Sequence, residues 1–229
     1  RKHVGALIGV TGVTGGVDST NAAAIVKEAI GTKLHAIYVD TGFMRKGESE
    51  ATEAMYKRMG LNLTVVHAGT EYFEALKGVT EPEAKRKIIG EKFIRIFERE
   101  SKKTGATVLV QGTIAPDWIE SGGGKRDTIK SHHNVGGLPK DMKLELCEPL
   151  YHLYKDEVRA VARHLKVEVA ERQPFPGPGL AVRVIGNLTP ERVQIAREAC
   201  EVVEREIEAA VAAGKHVWSE KPLGLNLEG

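Results

Sequence analysis

Residues 14–20 read Thr-Gly-Gly-Val-Asp-Ser-Thr, between an apolar run at 4–10 and the alanine-rich segment 21–30. A strand, a glycine turn and a helix start in that order make an anion site. Gly15 and Gly16 let the backbone approach a phosphate closely. Thr14 and Val17 frame the turn, and Ser19 and Thr20 add hydroxyl donors at the helix N-terminus, where unpaired amides favour negative charge. Asp18 would repel a bare phosphate, so its carboxylate points to Mg²⁺ bridging to one. The loop lacks the Gly-Lys-Ser/Thr ending of a Walker A sequence, which speaks against ordinary γ-phosphate chemistry. A tight turn that binds nothing is the plain alternative, and Asp18 weighs against it.

Three further clusters carry chemistry. In Gln111-Gly112-Thr113-Ile114-Ala115-Pro116-Asp117-Trp118-Ile119-Glu120, the acids Asp117 and Glu120 are three apart, so a helical turn would put both carboxylates on one face. Such a pair serves a second metal contact or acid/base work, or simply decorates a helix N-terminus. Lys130, His132, His133 and Asn134 gather a cation, two imidazoles and an amide within five places, a donor set suited to a lid closing over an anionic substrate. Lys155, Asp156 and Glu157 open a helix, where acids also complement the helix dipole. Asp40, 24 positions after Gly16, suits a ribose or metal contact and equally a turn.

The elements that must position these groups alternate. Apolar runs at 4–10, 34–40, 62–67, 107–111 and 143–147 read as strands, and helical periods cover 19–30, 49–59, 81–104 and 155–165. Alternation of this kind predicts an α/β fold with a doubly wound parallel sheet, whose ligands lie beyond the carboxyl ends of the strands. Residues 14–20, 40–47 and 111–120 all fall at such ends. Residues 121–139, rich in Gly, Lys, Arg and His, read as a lid loop. The proline-rich stretch 173–179 reads as a rigid hinge, followed by a short strand at 180–185 and a long helix at 189–213 with Thr189 as N-cap and Pro190 at its first position. The expected organisation is a nucleotide domain over 1–173 and a C-terminal α+β appendage over 174–229.

Composition narrows the classes. The chain has 229 residues, 28% of them charged, and a net charge of +2, which gives no polyanion-scale basic bias, so nucleic acid is not an expected partner. No apolar run approaches the roughly 20 residues that span a bilayer. Cys147 and Cys200 form neither a disulfide framework nor a metal motif, so both are expected to be buried in a cytoplasmic protein.

The 14–20 loop resembles the Ser-Gly-Gly-x-Asp-Ser pyrophosphate loop of the N-type ATP pyrophosphatases, with Thr14 keeping the hydroxyl of the usual serine. Residues 39–45, 78–80 with 85–90, 111–121, 129–138, 155–159 and 174–186 extend the likeness in order over residues 5 to 205. On these segments the chain is similar to the ATP-pyrophosphatase part of the GMP synthetases. The resemblance implies a Rossmann-like, adenine-nucleotide-α-hydrolase-like fold. It implies that ATP and Mg²⁺ adenylate the 2-oxygen of xanthosine monophosphate (XMP), and that ammonia then displaces AMP. By position, Thr14, Gly15, Gly16, Val17, Asp18, Ser19 and Thr20 hold the pyrophosphate, with Asp18 on the metal. Val39 and Phe43 flank the adenine, and Gln111, Gly112 and Thr113 complete the ATP site. Asp117 and Glu120 serve adenylation. Lys130, His132 and His133 act from the lid with Lys155 and Asp156, and Asn134 and Glu157 belong to the XMP side.

The resemblance has limits. No glutamine amidotransferase domain is present, so ammonia is expected free or from a separate subunit. The family continues beyond residue 205 into a dimerisation part supplying much of the XMP site. This chain is therefore expected to bind ATP, to make little GMP, and to be a monomer or loose dimer, although the family is homodimeric. Residues 213–222 instead resemble the Gly-Lys-His-Val…Glu-Lys-Pro ending of NAD(P)-dependent sugar oxidoreductases, as a chimeric or artificial sequence would. Thr11-Gly12 with Gly16, Asp40, and Tyr151 with Lys155 imitate a dehydrogenase's glycine turn, ribose acid and Tyr-x-x-x-Lys, which makes a hydride enzyme the rival. A silent ATP-binding module is the third reading.

Overall fold

The computed structural model describes residues 7–120, 144–170 and 175–216. Five strands form one sheet: β1 (Gly9–Val13), β2 (Leu34–Asp40), β3 (Asn62–His67), β4 (Val108–Val110) and β5 (Glu145–Cys147), in the order β3-β2-β1-β4-β5. Every pairing is parallel. The helices are α1 (Val17–Ile30), α2 (Glu48–Arg58), α3 (Gly69–Ala75), α4 (Pro82–Ser101), α5 (Ala115–Glu120), α6 (Lys155–His164) and α7 (Pro190–Ala212).

Alternate residues of β1 to β4 feed two cores, one on either face. Val13, Leu34, Ala36, Tyr38, Val108 and Val110 pack with α1, α2 and α6. Val10, Ile37, Val39 and Leu109 pack on the other face with Tyr72 of α3, Ile89, Ile96 and Phe97 of α4, and Val193 of α7. A sheet covered on both sides needs apolar residues at successive positions, hence the near-continuous apolar runs. The chain leaves β1 toward β2 and β3, then crosses to the far side of β1 for β4 and β5. The strand order therefore reverses between β1 and β4, and a ligand crevice opens there, at the carboxyl ends.

β1 lies at Gly9–Val13 instead of 4–10, and residues 1–6 fall outside the description. Thr11 and Gly12 read as turn formers, yet they pair with Ala36 and Ile37. Gly12 is there because a Cβ would meet the Phe93 ring at 3.3 Å, so the glycine admits α4 onto the sheet. That removes the dehydrogenase-like glycine turn. The expected strand at 180–185 is also corrected. Pro178 has helical φ and ψ, Gly179 has φ 63°, and Gly179–Val182 form a 3-10 turn whose Leu180 N–H donates to Phe43 O at 2.7 Å. Leu180, Ala181 and Val184 are buried there, whereas Ile185 and, on α7, Ile195, Val202 and Val203 are exposed. Thr189 caps α7 as expected, accepting from the Arg192 N–H at 3.3 Å. Cys147 and Cys200, expected to be buried, are only half-buried.

Candidate functional site

The glycine loop turns from β1 into α1 at this crevice. The helix begins at Val17, two residues earlier than its apolar period suggests, so Asp18 and Ser19 stand in its first turn. The amides of residues 17–19 have no acceptor within the helix, and they stand at the positive end of its dipole. Within the loop, Thr14 Oγ1 lies 3.1 Å from Ser19 Oγ, the Thr14 N–H donates to Ser19 Oγ at 3.3 Å, and the Gly16 N–H donates to Thr14 Oγ1 at 3.4 Å. Gly15 takes φ 77°, a conformation that disfavours any side chain, and its N–H donates to Tyr56 Oη at 2.7 Å. Thr20 Oγ1 lies 2.9 Å from the same phenol oxygen. Tyr56 and Thr20 are both fully buried, and burial pushes the Tyr56 phenol well above its ordinary range. Sequence reasoning passed over Tyr56, because on an amphipathic helix it reads as one more core residue.

Two distant elements close on the loop. Gly112, just past β4, sits so near α1 that a Cβ would fall 2.8 Å from the carbonyl carbon of Asp18 and 2.9 Å from Ser19 N. Its neighbours Gln111 and Thr113 are half-buried, and the Gln111 N–H donates to Cys147 O at 2.9 Å, continuing the sheet. From the other side, α6 brings Lys155 Nζ to 2.8 and 2.7 Å from the two carboxylate oxygens of Asp18. Asn21 Nδ2 donates to Val158 O at 2.8 Å and locks α1 to α6. The sequence placed Asp18 and Lys155 in one site; the structure makes them an ion pair.

Other expected residues take plainer roles. Asp117 Oδ2 accepts from the Ile114 N–H at 3.0 Å and Glu157 Oε2 from the Tyr154 N–H at 2.8 Å, each closing a helix start, while Asp156 is exposed beside Glu157. Asp40 Oδ1 accepts from the Gly42 N–H at 2.9 Å, the turn use of that residue. Val39 and Phe43 need correction. Both side chains are core, with Phe43 fully buried edge-on to Tyr72 and Phe73, so neither presents a face to a purine. The family resemblance implied them as adenine neighbours by position; the 3-10 turn at Gly179–Val182 packs against Phe43 here. Tyr151 precedes α6 and stacks on Trp118 at 5.4 Å, whereas Lys155 turns to Asp18, so the Tyr-x-x-x-Lys pairing of the hydride reading does not form. The side chain of Glu120, together with Lys130, His132, His133 and Asn134, lies outside the described residues.

The 41–46 turn beside the loop is held by cations from later in the chain. Arg197 donates through Nε to Met44 O at 2.8 Å and through Nη2 to Gly42 O. The guanidinium groups of Arg45 and Arg183 lie 4.8 and 5.3 Å from the Phe175 ring centroid. Lys85, buried on α4, donates to Val184 O at 2.6 Å and Gly186 O at 2.7 Å, and burial lowers its pKa. Among the described residues no three His, Cys, Asp or Glu side chains could by themselves hold a metal ion. No described helix is long and apolar enough to cross a membrane.

A parallel sheet with a glycine loop at its switch point, ending in hydroxyls without a Walker lysine, defines an α/β nucleotide protein of the N-type ATP pyrophosphatase class. The family model described as NAD synthase matches residues 2–95. The B subunit of glutamine-hydrolysing GMP synthase from Methanopyrus kandleri is 58% identical over 218 residues, covering 94% of this chain and 68% of that protein. The Pyrococcus horikoshii counterpart is 55% identical over 213 residues, covering 92% and 68%. The chain belongs to the family of GMP synthase B subunits, and it spans about two thirds of the length of these relatives. Among solved structures, the NMN synthetase of Francisella tularensis shares the fold, with a TM-score of 0.56 at 13% identity over 94% of this chain and 90% of that one.

Proposed function

We propose that the chain carries out the ATP-dependent half of GMP synthesis, adenylating XMP with release of pyrophosphate and aminating the adduct with ammonia. The observation that carries this reading is the pyrophosphate loop 14–20 at the sheet's switch point, in a chain more than half identical to GMP synthase B subunits. In the first step the purine 2-oxygen of XMP attacks the α-phosphorus of ATP, and the bond to the β-phosphate bridging oxygen breaks. Negative charge grows on the departing pyrophosphate, where the first-turn amides of α1 and the Ser19 and Thr14 hydroxyls receive it. Lys155 adds a positive charge at the same end of the crevice. Ammonia then attacks C2 and AMP leaves, giving GMP.

The donor set suits Mg²⁺. A single carboxylate at a helix N-terminus, completed by phosphate oxygens and water, is how this ion is commonly held, and Asp18 offers two oxygens for Lys155 and the metal to share. Bound there, Mg²⁺ would offset phosphate charge. Gln111, Gly112 and Thr113 line the ATP side, with Asp117 and Glu120 assisting adenylation. Lys130, His132 and His133 act from the lid with Lys155 and Asp156, and Asn134 and Glu157 belong to the XMP side. Ammonia comes from a separate glutamine amidotransferase subunit, the reaction is cytoplasmic, and residues 1–173 form the pyrophosphatase unit, with 174–229 leading toward the family's homodimer contacts. Incubation with ATP, Mg²⁺, XMP and ammonium tests the reading: GMP, AMP and pyrophosphate should appear in equal amounts. Pyrophosphate release that does not depend on XMP would refute the substrate assignment.

A further inference from the structure

The phosphate loop is braced from beneath by a side chain that no loop motif contains. Tyr56 stands on α2, 36 residues beyond Thr20, and is entirely enclosed. Its oxygen receives the Gly15 N–H at 2.7 Å and touches Thr20 Oγ1 at 2.9 Å, so one phenol fixes the loop at its first glycine and again where the first helical turn closes. The ring is itself fixed, edge-on to Tyr38 at 6.2 Å, and the Tyr38 hydroxyl donates to Ser49 Oγ at 3.2 Å on the same helix α2. Gly15 takes a positive φ while its N–H is held by the phenol, so the turn and the bond occur at one residue.

We propose that Tyr56 is a positioning residue for pyrophosphate: it commits the Gly15 amide to the core and so presets the loop in its anion-receiving shape before a nucleotide arrives. The proposal rests on residues 14–20 being the pyrophosphate loop. Phenylalanine would preserve the buried ring and delete both hydrogen bonds. Gly15 N–H would then lose its phenol acceptor inside the fold, and the loop would have to adjust to the loss. Such rearrangement costs binding energy that a preset loop does not spend.

The test compares the unaltered full chain with Tyr56→Phe by calorimetry, using magnesium pyrophosphate, MgATP and AMP as probes. The Kd for pyrophosphate and for MgATP should rise roughly 5- to 50-fold, with AMP affinity unchanged. Equal weakening of all three ligands would reduce Tyr56 to general scaffolding. Unchanged pyrophosphate affinity would overturn the proposal, and so would tighter binding, since the phenol would then be withholding a phosphate donor. Absence of pyrophosphate binding by the unaltered chain would instead sink the loop assignment, and the proposal with it. Amide hydrogen exchange on the ligand-free chain decides without any variant: Gly15 N–H should be protected, and exchange as fast as an exposed amide overturns the bond.

Discussion

Replacing Gly112 with alanine asks whether the loop's shape, beyond its residue types, is what binds phosphate. The added Cβ would lie 2.8 Å from Asp18 C, 2.9 Å from Asp18 O and 2.9 Å from Ser19 N, where ordinary contact begins at 3.4 Å. All three neighbours are backbone and cannot rotate aside. Either the first turn of α1 or the end of β4 must move by about 0.5 Å, and overpacking of this kind costs about 1–3 kcal/mol. The same shift misaligns the amides of 17–19 with a bound phosphate. Losing one charge-assisted hydrogen bond is worth about 1.5–3 kcal/mol, a factor of roughly 10–150 in Kd. Calorimetry with MgATP and a denaturant titration read the two effects separately. Gly177→Ala is the control, because a Cβ there meets nothing within 4 Å. Gly112→Ala binding MgATP as tightly as the unaltered chain would show that phosphate affinity does not depend on this close approach.

Asp18→Asn removes the partner of Lys155 and the proposed Mg²⁺ ligand together, so MgATP affinity should fall by roughly tenfold or more; equal affinity in calorimetry would take Asp18 out of the site. Gly179→Ala places a Cβ 2.5 Å from Phe43 O at a φ of 63°, and should destabilise by at least about 2 kcal/mol in a denaturant titration; a change under about 0.5 kcal/mol would mean the turn is not fixed by that contact. Lys85→Met strands the carbonyls of Val184 and Gly186 and should also lower stability. Burial, and then the charge of Arg192, hold the Lys85 ammonium below 10.5, so in the window beneath 10.5 the unfolded chain binds more protons than the native one. The native chain should therefore gain stability as pH rises through that window relative to Lys85→Met, and parallel pH curves would contradict the buried charge.

Strands that pair along their whole length were the most legible part of the fold. β2 and β3 occupy the residues their apolar runs predict; most of β2 is buried between the helix layers, and β3 pairs with it from His35 to Asp40. β1 was misplaced by Thr11 and Gly12, whose turn chemistry yields to the packing of Phe93. The run Leu-Ala-Val-Arg-Val-Ile at 180–185 has strand composition, but its backbone is taken up by a turn at Phe43 O and by the side chains of Lys85 and Arg192. α3, seven residues long, is too short for a helical period to register. In the site, the loop and its acid were readable because close backbone approach demands glycine and metal chemistry demands a carboxylate. The pairing of Asp18 with Lys155, 137 residues away, was readable only as shared membership of a site. Tyr56 and the reason for Gly112 were not readable at all, for both depend on which element the fold lays against the loop.

Those contacts explain why a glycine loop alone is a modest signal of function. Its residues supply donors and permit a tight turn, but a sequence with two adjacent glycines has great backbone freedom when unfolded and gains no fixed shape from its own side chains. Here the shape is imposed from three directions: by Tyr56 on α2 beneath Gly15 and Thr20, by Gly112 against the peptide of Asp18, and by Lys155 on α6 across the Asp18 carboxylate. Tyr56 and Gly112 are rigid supports, the latter against the Asp18–Ser19 peptide, and the third places a movable cation on the acid. The rigid supports favour any phosphate, whereas the cation distinguishes the metal-bound form, because Lys155 must share or release Asp18 when Mg²⁺ enters. Pyrophosphate affinity in Lys155→Met should therefore depend more steeply on Mg²⁺ concentration than in the unaltered chain, with the metal alone left to neutralise Asp18. A calorimetric magnesium series giving the same dependence in both would mean that lysine and metal never compete for that carboxylate.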